Sequence, residues 1–153
     1  MKYEVKRVED LSTIDVSKLV KESEEEGYRF VSRLVNDFED QTNTFSEEGE
    51  ALFAVNNPSG EIVAIGGINR SPFTDDEDVA RLQRFYVLEE ARRQGVGTLL
   101  QNAIIDHAKN HFKEITVRTE SSKSDAFYRA TGFTFDDSDT ETTHIMKFDK
   151  THE

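Results

Sequence analysis

Between residues 79 and 119 the chain reads strand, glycine-bearing turn, amphipathic helix, strand, and this order constrains the fold more than any other feature. Residues 79–88 form a long strand candidate. Over residues 95–112, Val96, Leu99, Leu100, Ala103, Ile104, His107 and Ala108 line one helical face, while Gln101, Asn102, Asp106, Lys109 and Asn110 lie elsewhere. Residues 114–119 form a further strand candidate. A helical crossover of this kind makes the local strand pairing parallel.

The flanking segments add mostly antiparallel pieces. Residues 2–8 alternate as a half-buried strand, and residues 11–20 carry Leu11, Ile14, Leu19 and Val20 as a short helix. An acidic turn is expected over 22–27. A second helix follows from Tyr28, with Phe30, Val31, Leu34, Val35 and Phe38 at helical spacing. Residues 51–55 and 61–69 flank Asn56-Asn57-Pro58-Ser59-Gly60, whose proline and glycine suit a hairpin turn. A short helix over 124–131 stops at Gly132, and residues 133–135 and 143–148 supply the last strands. The order β, α, α, β, β, β, α, β, α, β, β predicts one α/β (α+β) domain with a mixed sheet over residues 1–153.

Composition removes several classes of function. With no cysteine, the chain has no disulfide, no thiolate metal ligand and no thioester intermediate on the enzyme. A formal net charge of -12 is the wrong overall balance for nucleic acid, which rewards a positive footprint. No apolar run approaches the roughly 18 residues of a membrane span. The opening Met1-Lys2-Tyr3-Glu4-Val5-Lys6 is mixed and charged, unlike a signal peptide, so a cytoplasmic location is the default expectation.

The chemistry concentrates in Arg92-Arg93-Gln94-Gly95-Val96-Gly97-Thr98. The first N–H groups of a helix have no intrahelical partner, and the helix dipole adds positive charge at the same end. Two glycines let an anion approach the backbone, and Arg92 and Arg93 add fixed positive charge. Such a segment suits a pyrophosphate, although an ordinary glycine turn beside a basic pair has the same letters. Two nucleotide motifs do not fit. Leu100 stands where a dinucleotide fingerprint needs its third glycine, and Thr98-Leu99 follow Gly97 where a P-loop needs Lys and then Ser or Thr.

The stretch Arg81-Leu82-Gln83-Arg84-Phe85-Tyr86-Val87-Leu88-Glu89-Glu90-Ala91-Arg92-Arg93-Gln94-Gly95-Val96-Gly97-Thr98 resembles the acyl-CoA motif of the GNAT N-acetyltransferase superfamily: Arg or Gln, any two residues, Gly, any residue, Gly or Ala. Downstream, Ala126-Phe127-Tyr128-Arg129-Ala130-Thr131-Gly132-Phe133 is similar to the family's Phe-Tyr-x-x-x-Gly-Phe signature. The resemblance spans nearly the whole chain. It implies a twisted, mostly antiparallel sheet of about seven strands and about four helices, with its central strands splayed apart. It also implies acetyl-CoA as acyl donor and no metal. Where many members carry an Asn near the start of the second motif's helix, this chain has Ser121, whose hydroxyl could take over that cofactor contact.

By the same resemblance, backbone groups of Phe85, Tyr86 and Val87 line the pantetheine arm, and the Val87 N–H meets the thioester carbonyl, stabilising charge that develops in the transition state. Arg92, Arg93, Gln94, Gly95, Val96, Gly97 and Thr98 hold the pyrophosphate, with Ser121 and Phe127 as further cofactor contacts. Tyr128 is the expected acid for the departing thiolate; as a residue, it equally suits a core position on an amphipathic helix. Glu50, Glu77, Asp78 and His144 are all conceivable bases for the attacking amine.

Glu24-Glu25-Glu26, and Asp136, Asp137, Asp139 and Glu141, fall in connections that flank the acceptor entrance in this family, which suggests a cationic acceptor; a solvated acidic surface explains them equally. His107 and His111 have a zinc-compatible spacing but no evident third ligand, and they also suit the positively charged end of a helix. The expected activity is N-acetylation of a small amine. A protein N-terminal acetyltransferase, a non-catalytic acyl-CoA-binding module and a nucleotide-binding protein remain open, as does a homodimer.

Overall fold

In the computed structural model, which describes residues 2–119, 122–137 and 140–148, hairpin pairing builds most of one sheet. Strands β1 (Glu4–Arg7), β2 (Ala51–Asn56), β3 (Ile62–Arg70) and β4 (Val79–Val87) follow one another antiparallel. Strands β5 (Glu114–Val117), β6 (Thr134–Phe135) and β7 (His144–Lys147) complete the order β1-β2-β3-β4-β5-β7-β6. Only β4 and β5 run parallel, as the crossover between them requires. The predicted element order and the mostly antiparallel mixed sheet are both present.

Helices α1 (Ser17–Glu25) and α2 (Phe30–Asp40) cover one face of the sheet, where Phe30 meets Tyr86 of β4. Helices α3 (Val96–Ala108) and α4 (Ser122–Ala130) cover the other: a Cβ added at Gly66 would meet Leu100 of α3, and Phe127 of α4 packs on Phe85. Strand β3 is covered on both sides and is buried from Ile62 through Asn69. Leu19, Leu34, Leu52, Ile65, Ile68, Leu100, Ile104 and Ile115 make the centre of the core.

Two sequence expectations need correction. The acidic run over 22–27 is a turn only at its end: residues 22–25 belong to α1, which starts only at Ser17, after a separate turn of 3-10 helix at Leu11–Thr13. Asp15 accepts from the Ser17 N–H (2.9 Å) and hydroxyl (2.6 Å), which delays the helix start. Gly27, at φ 91°, ends it: the Tyr28 N–H bonds the Ser23 carbonyl and the Gly27 N–H the Glu24 carbonyl, a Schellman cap. Second, α3 buries Val96, Leu100, Gln101, Ile104, Ile105 and Ala108, while Leu99 is exposed. The buried stripe is therefore rotated toward Gln101, whose amide atoms have no partner among the described residues.

Candidate functional site

Strands β4 and β5 pair only from Val79 to Arg81 and from Glu114 to Thr116. Beyond that point the register ends, and the rest of β4 has no ladder partner on the β5 side among the described residues, leaving a gap in the ladder. On its other side β4 stays bonded to β3. Leu88 N–H donates to the Val63 carbonyl at 2.8 Å, and Val87 is paired with Ala64. Bonding alternates along an antiparallel pair, so the Val87 N–H and C=O point away from β3, into the gap. Arg92 Nε takes the carbonyl at 2.9 Å.

A bulge shapes the same stretch. Ile65 pairs with Tyr86 and Gly67 with Gln83, so Gly66 faces two β4 residues, Arg84 and Phe85. Arg84 takes the extra position at φ 61°, a conformation that costs a non-glycine residue roughly 1–3 kcal/mol. Gly66 makes the close approach feasible, since a Cβ there would lie 2.8 Å from the Phe85 ring.

Below the gap lies the start of α3. Arg93 (φ 66°) and Gly95 (φ 80°) both turn left-handed, and no side chain caps the helix. The first-turn N–H groups therefore face outward at the positive end of the dipole. A Cβ added at Gly97 would sit 3.4 Å from Phe127 and 3.8 Å from Val87, so this glycine keeps clear the space between α3, α4 and β4. Backbone donors at the start of α3 and the unpaired β4 edge beside Val87 thus lie on either side of Gly97, and a helix start of this kind can accept an anion.

Arg92 is paired with acidic side chains of α1. Its guanidinium makes two bonds to Glu26 (2.9 and 3.2 Å) and faces Glu22 at 3.8 Å. Tyr86 bonds both carboxylates at 2.7 Å, and Glu22 also takes the Glu89 N–H at 2.9 Å. Arg92 and Tyr86 hold the Glu26 carboxyl below the usual carboxylate range, and burial first, then those carboxylates, push the Tyr86 phenol well up. The network ties α1 to the loop before α3. Side chains of Tyr86 and Arg92 thus brace the site, while Arg93 and Thr98 are exposed. Gln94 is held by the Tyr3 hydroxyl (2.9 Å) and the Glu90 carbonyl (2.8 Å).

Tyr128 on α4 is 5% exposed and packed among Phe85, Phe127, Phe133 and His144. Burial alone pushes its phenol up, so the group stays protonated across the neutral range. Three of the sequence-predicted bases have partners of their own. His144 Nε2 meets Asp125 at 2.6 Å and Nδ1 meets the Thr143 hydroxyl at 2.8 Å. Glu50 accepts the Glu47 and Arg70 N–H groups, and Glu77 is exposed beside Arg70. Asp78 precedes the end of β4 that still pairs with β5. Ser121 and Asp139 lie outside the described residues. His107 Nε2 meets the Gly49 carbonyl at 3.1 Å, its ring 4.6 Å from that of His111. No group of three or more His, Asp or Glu converges among the described residues, and no helix there is long and apolar enough to cross a membrane.

A family model described as the acetyltransferase (GNAT) family matches residues 15–133. Among solved structures, one assigned by name as an acetyltransferase from Exiguobacterium sp. 255-15 is 28% identical, with TM-score 0.86 over 96% of this chain and 94% of that one. A GNAT-family acetyltransferase from Staphylococcus aureus Mu50 shares 15% identity and TM-score 0.74 over 97% and 100% of the two chains. The PaiA N-acetyltransferase of Thermoplasma acidophilum, solved with coenzyme A, shares 16% and TM-score 0.62 over 97% and 100%. No curated protein matches the sequence.

Proposed function

Since the chain belongs to the GNAT acetyltransferase family, we propose that it transfers the acetyl group of acetyl-CoA directly to the primary amine of a small acceptor, with both substrates bound together. The observation that carries the reading is the alignment of the open β4 edge with the uncapped start of α3, with Gly97 leaving room between them.

Each residue then has a task. Backbone N–H groups from Arg93 to Thr98 hold the pyrophosphate, with Gly95 and Gly97 giving access. The Val87 N–H donates to the thioester oxygen as it gains charge, a contribution of the kind that matters most where water is excluded. Tyr128, protonated at neutral pH as a phenol, gives its proton to the departing thiolate. His144, Glu50 and Glu77 have partners of their own and Asp78 lies at the far end of β4, so the amine's proton is assigned to water. The lack of cysteine agrees with direct transfer.

Calorimetric titration of acetyl-CoA into the native protein and a Gly97→Glu variant tests the reading. Micromolar binding that disappears in the variant supports the site, since the added carboxylate would repel the phosphates. A native protein that fails to bind acetyl-CoA refutes it. Binding with no turnover of any amine would reduce the protein to an acyl-CoA-binding module.

A further inference from the structure

The β4 bulge sets Gln83 and Arg84 toward the α2 side, just before the strand edge that opens on the gap. Gln83 is anchored there: its Nε2 donates to Asn69, which exchanges amide bonds of 3.0 and 3.1 Å with Asn43. Arg84 is less well served. Its Nε is buried and has no partner among the described residues. The Asp37 carboxylate approaches one terminal nitrogen only at 3.5 Å and is shared with the Thr42 hydroxyl at 3.1 Å. Arg33, one turn before Asp37 on α2 and exposed, is near enough for its charge to oppose that of Arg84. Asp37 is thus a long and shared counter-charge for Arg84, in a chain of net charge -12.

A buried, strained and under-paired arginine is costly unless something else completes its bonds. We propose that the acceptor carries a carboxylate beside its amine, and that Arg84, with Arg33, binds that carboxylate. The inference rests on the acetyl-transfer reading and narrows it. Of the acidic residues that suggested a cation, Glu26 is taken up by Arg92 and Tyr86. Arg84 lies three residues before Val87, so their backbones are about 10 Å apart along the strand. A dipeptide spans up to about 7 Å, and the reach of the Arg84 side chain makes up the remainder.

The test is a panel of L-amino acids and short dipeptides, each paired with its own carboxamide, plus spermidine as the cationic arm. The readout is the ratio of kcat/KM for carboxylate over carboxamide at saturating acetyl-CoA. In the native enzyme the best pair should favour the carboxylate by about tenfold or more, as expected for a charge-assisted bond. Arg84→Gln should bring that ratio toward one, chiefly through KM, and Arg84→Lys should restore part of it. Arg33→Gln, at an exposed position that does not threaten folding, should lower the ratio by a smaller factor. A native enzyme that binds acetyl-CoA but acetylates carboxamides or spermidine as well as or better than every carboxylate overturns the inference and leaves acetyl transfer standing. A carboxylate preference that survives both Arg84→Gln and Arg33→Gln also overturns it. Failure to bind acetyl-CoA overturns the parent reading and this one together.

Discussion

Gly95 and Gly97 stand two residues apart and serve different ends, so alanine at each should separate stability from binding. At Gly95 the backbone is at φ 80° and nothing lies within 4 Å of an added Cβ. The only cost is the left-handed backbone, about 1–2 kcal/mol, which for a domain of this size lowers Tm by roughly 2–8 °C. Gly97 is the second residue of α3, and its added Cβ would make ordinary contacts at 3.4 Å with Phe127 and 3.8 Å with Val87. Alanine there gains up to about 1 kcal/mol of helix propensity, so Tm should hold or rise by about 1–4 °C. Affinity should move the other way. The new methyl enters the space between the first turn of α3 and the β4 edge, and losing one charge-assisted bond of about 1.5–3 kcal/mol weakens acetyl-CoA binding roughly 10–150-fold. Thermal melts and calorimetric titrations on the same preparations read both quantities. If Gly97→Ala bound acetyl-CoA as tightly as the native protein, the phosphates would not sit on the start of α3 and the site assignment would be refuted.

Tyr128→Phe should keep Tm within a few degrees and acetyl-CoA affinity within a few-fold, while kcat falls about 10²–10⁴-fold; unchanged turnover in a steady-state assay would remove Tyr128 from the chemistry. Gly67→Ala should destabilise more than Gly66→Ala in urea titrations. Its Cβ would meet the Ala51 carbonyl at 2.8 Å and Phe45 at 2.6 Å, whereas at Gly66 the tightest contacts are the side chains of Phe85 and Leu100 at 2.8 and 3.3 Å, which can shift. Gly66→Ala should instead show itself in kcat, through Phe85 and the Tyr128 ring it touches. The Glu26 carboxyl is held low by Arg92 and Tyr86. Its stabilising share is therefore full above the ordinary carboxylate pKa and lost as pH falls through the depressed one. Glu26→Gln should flatten the fall in Tm between about pH 5 and pH 2; parallel native and variant curves would contradict the brace.

Features carried by local pattern were legible in the sequence. Apolar spacing marked α2 and α3, and Asn57-Pro58-Ser59-Gly60 marked the β2–β3 turn. Features made by distant partners were not. Glu22 and Glu26 sit four apart on α1, an unremarkable pair of helix-favouring residues. Their meaning comes from Tyr86 and Arg92, more than 60 residues away. Gln101 read as a surface residue because its polarity hides which way α3 rolls against the sheet. The bulge left no trace either: Gln83-Arg84-Phe85-Tyr86 contains no glycine, and the extra residue exists only relative to the register of β3.

That missing signal bears on the acceptor, for which charge counting and the bulge point to opposite charges. A run such as Glu24-Glu25-Glu26 is conspicuous, yet carboxylates on an exposed helix end act mainly through solvent, where ionic screening weakens them within about 10 Å. A single guanidinium fixed in a bulge acts at close range and in a lower dielectric, where one unmet bond outweighs several distant charges. Arg84 occupies a strained backbone position with its Nε buried, beside the edge of β4 that opens on the gap. Selectivity at this site should follow from that one side chain and change little with ionic strength, whereas a cation drawn in by the acidic surface would show a KM that rises steadily with salt.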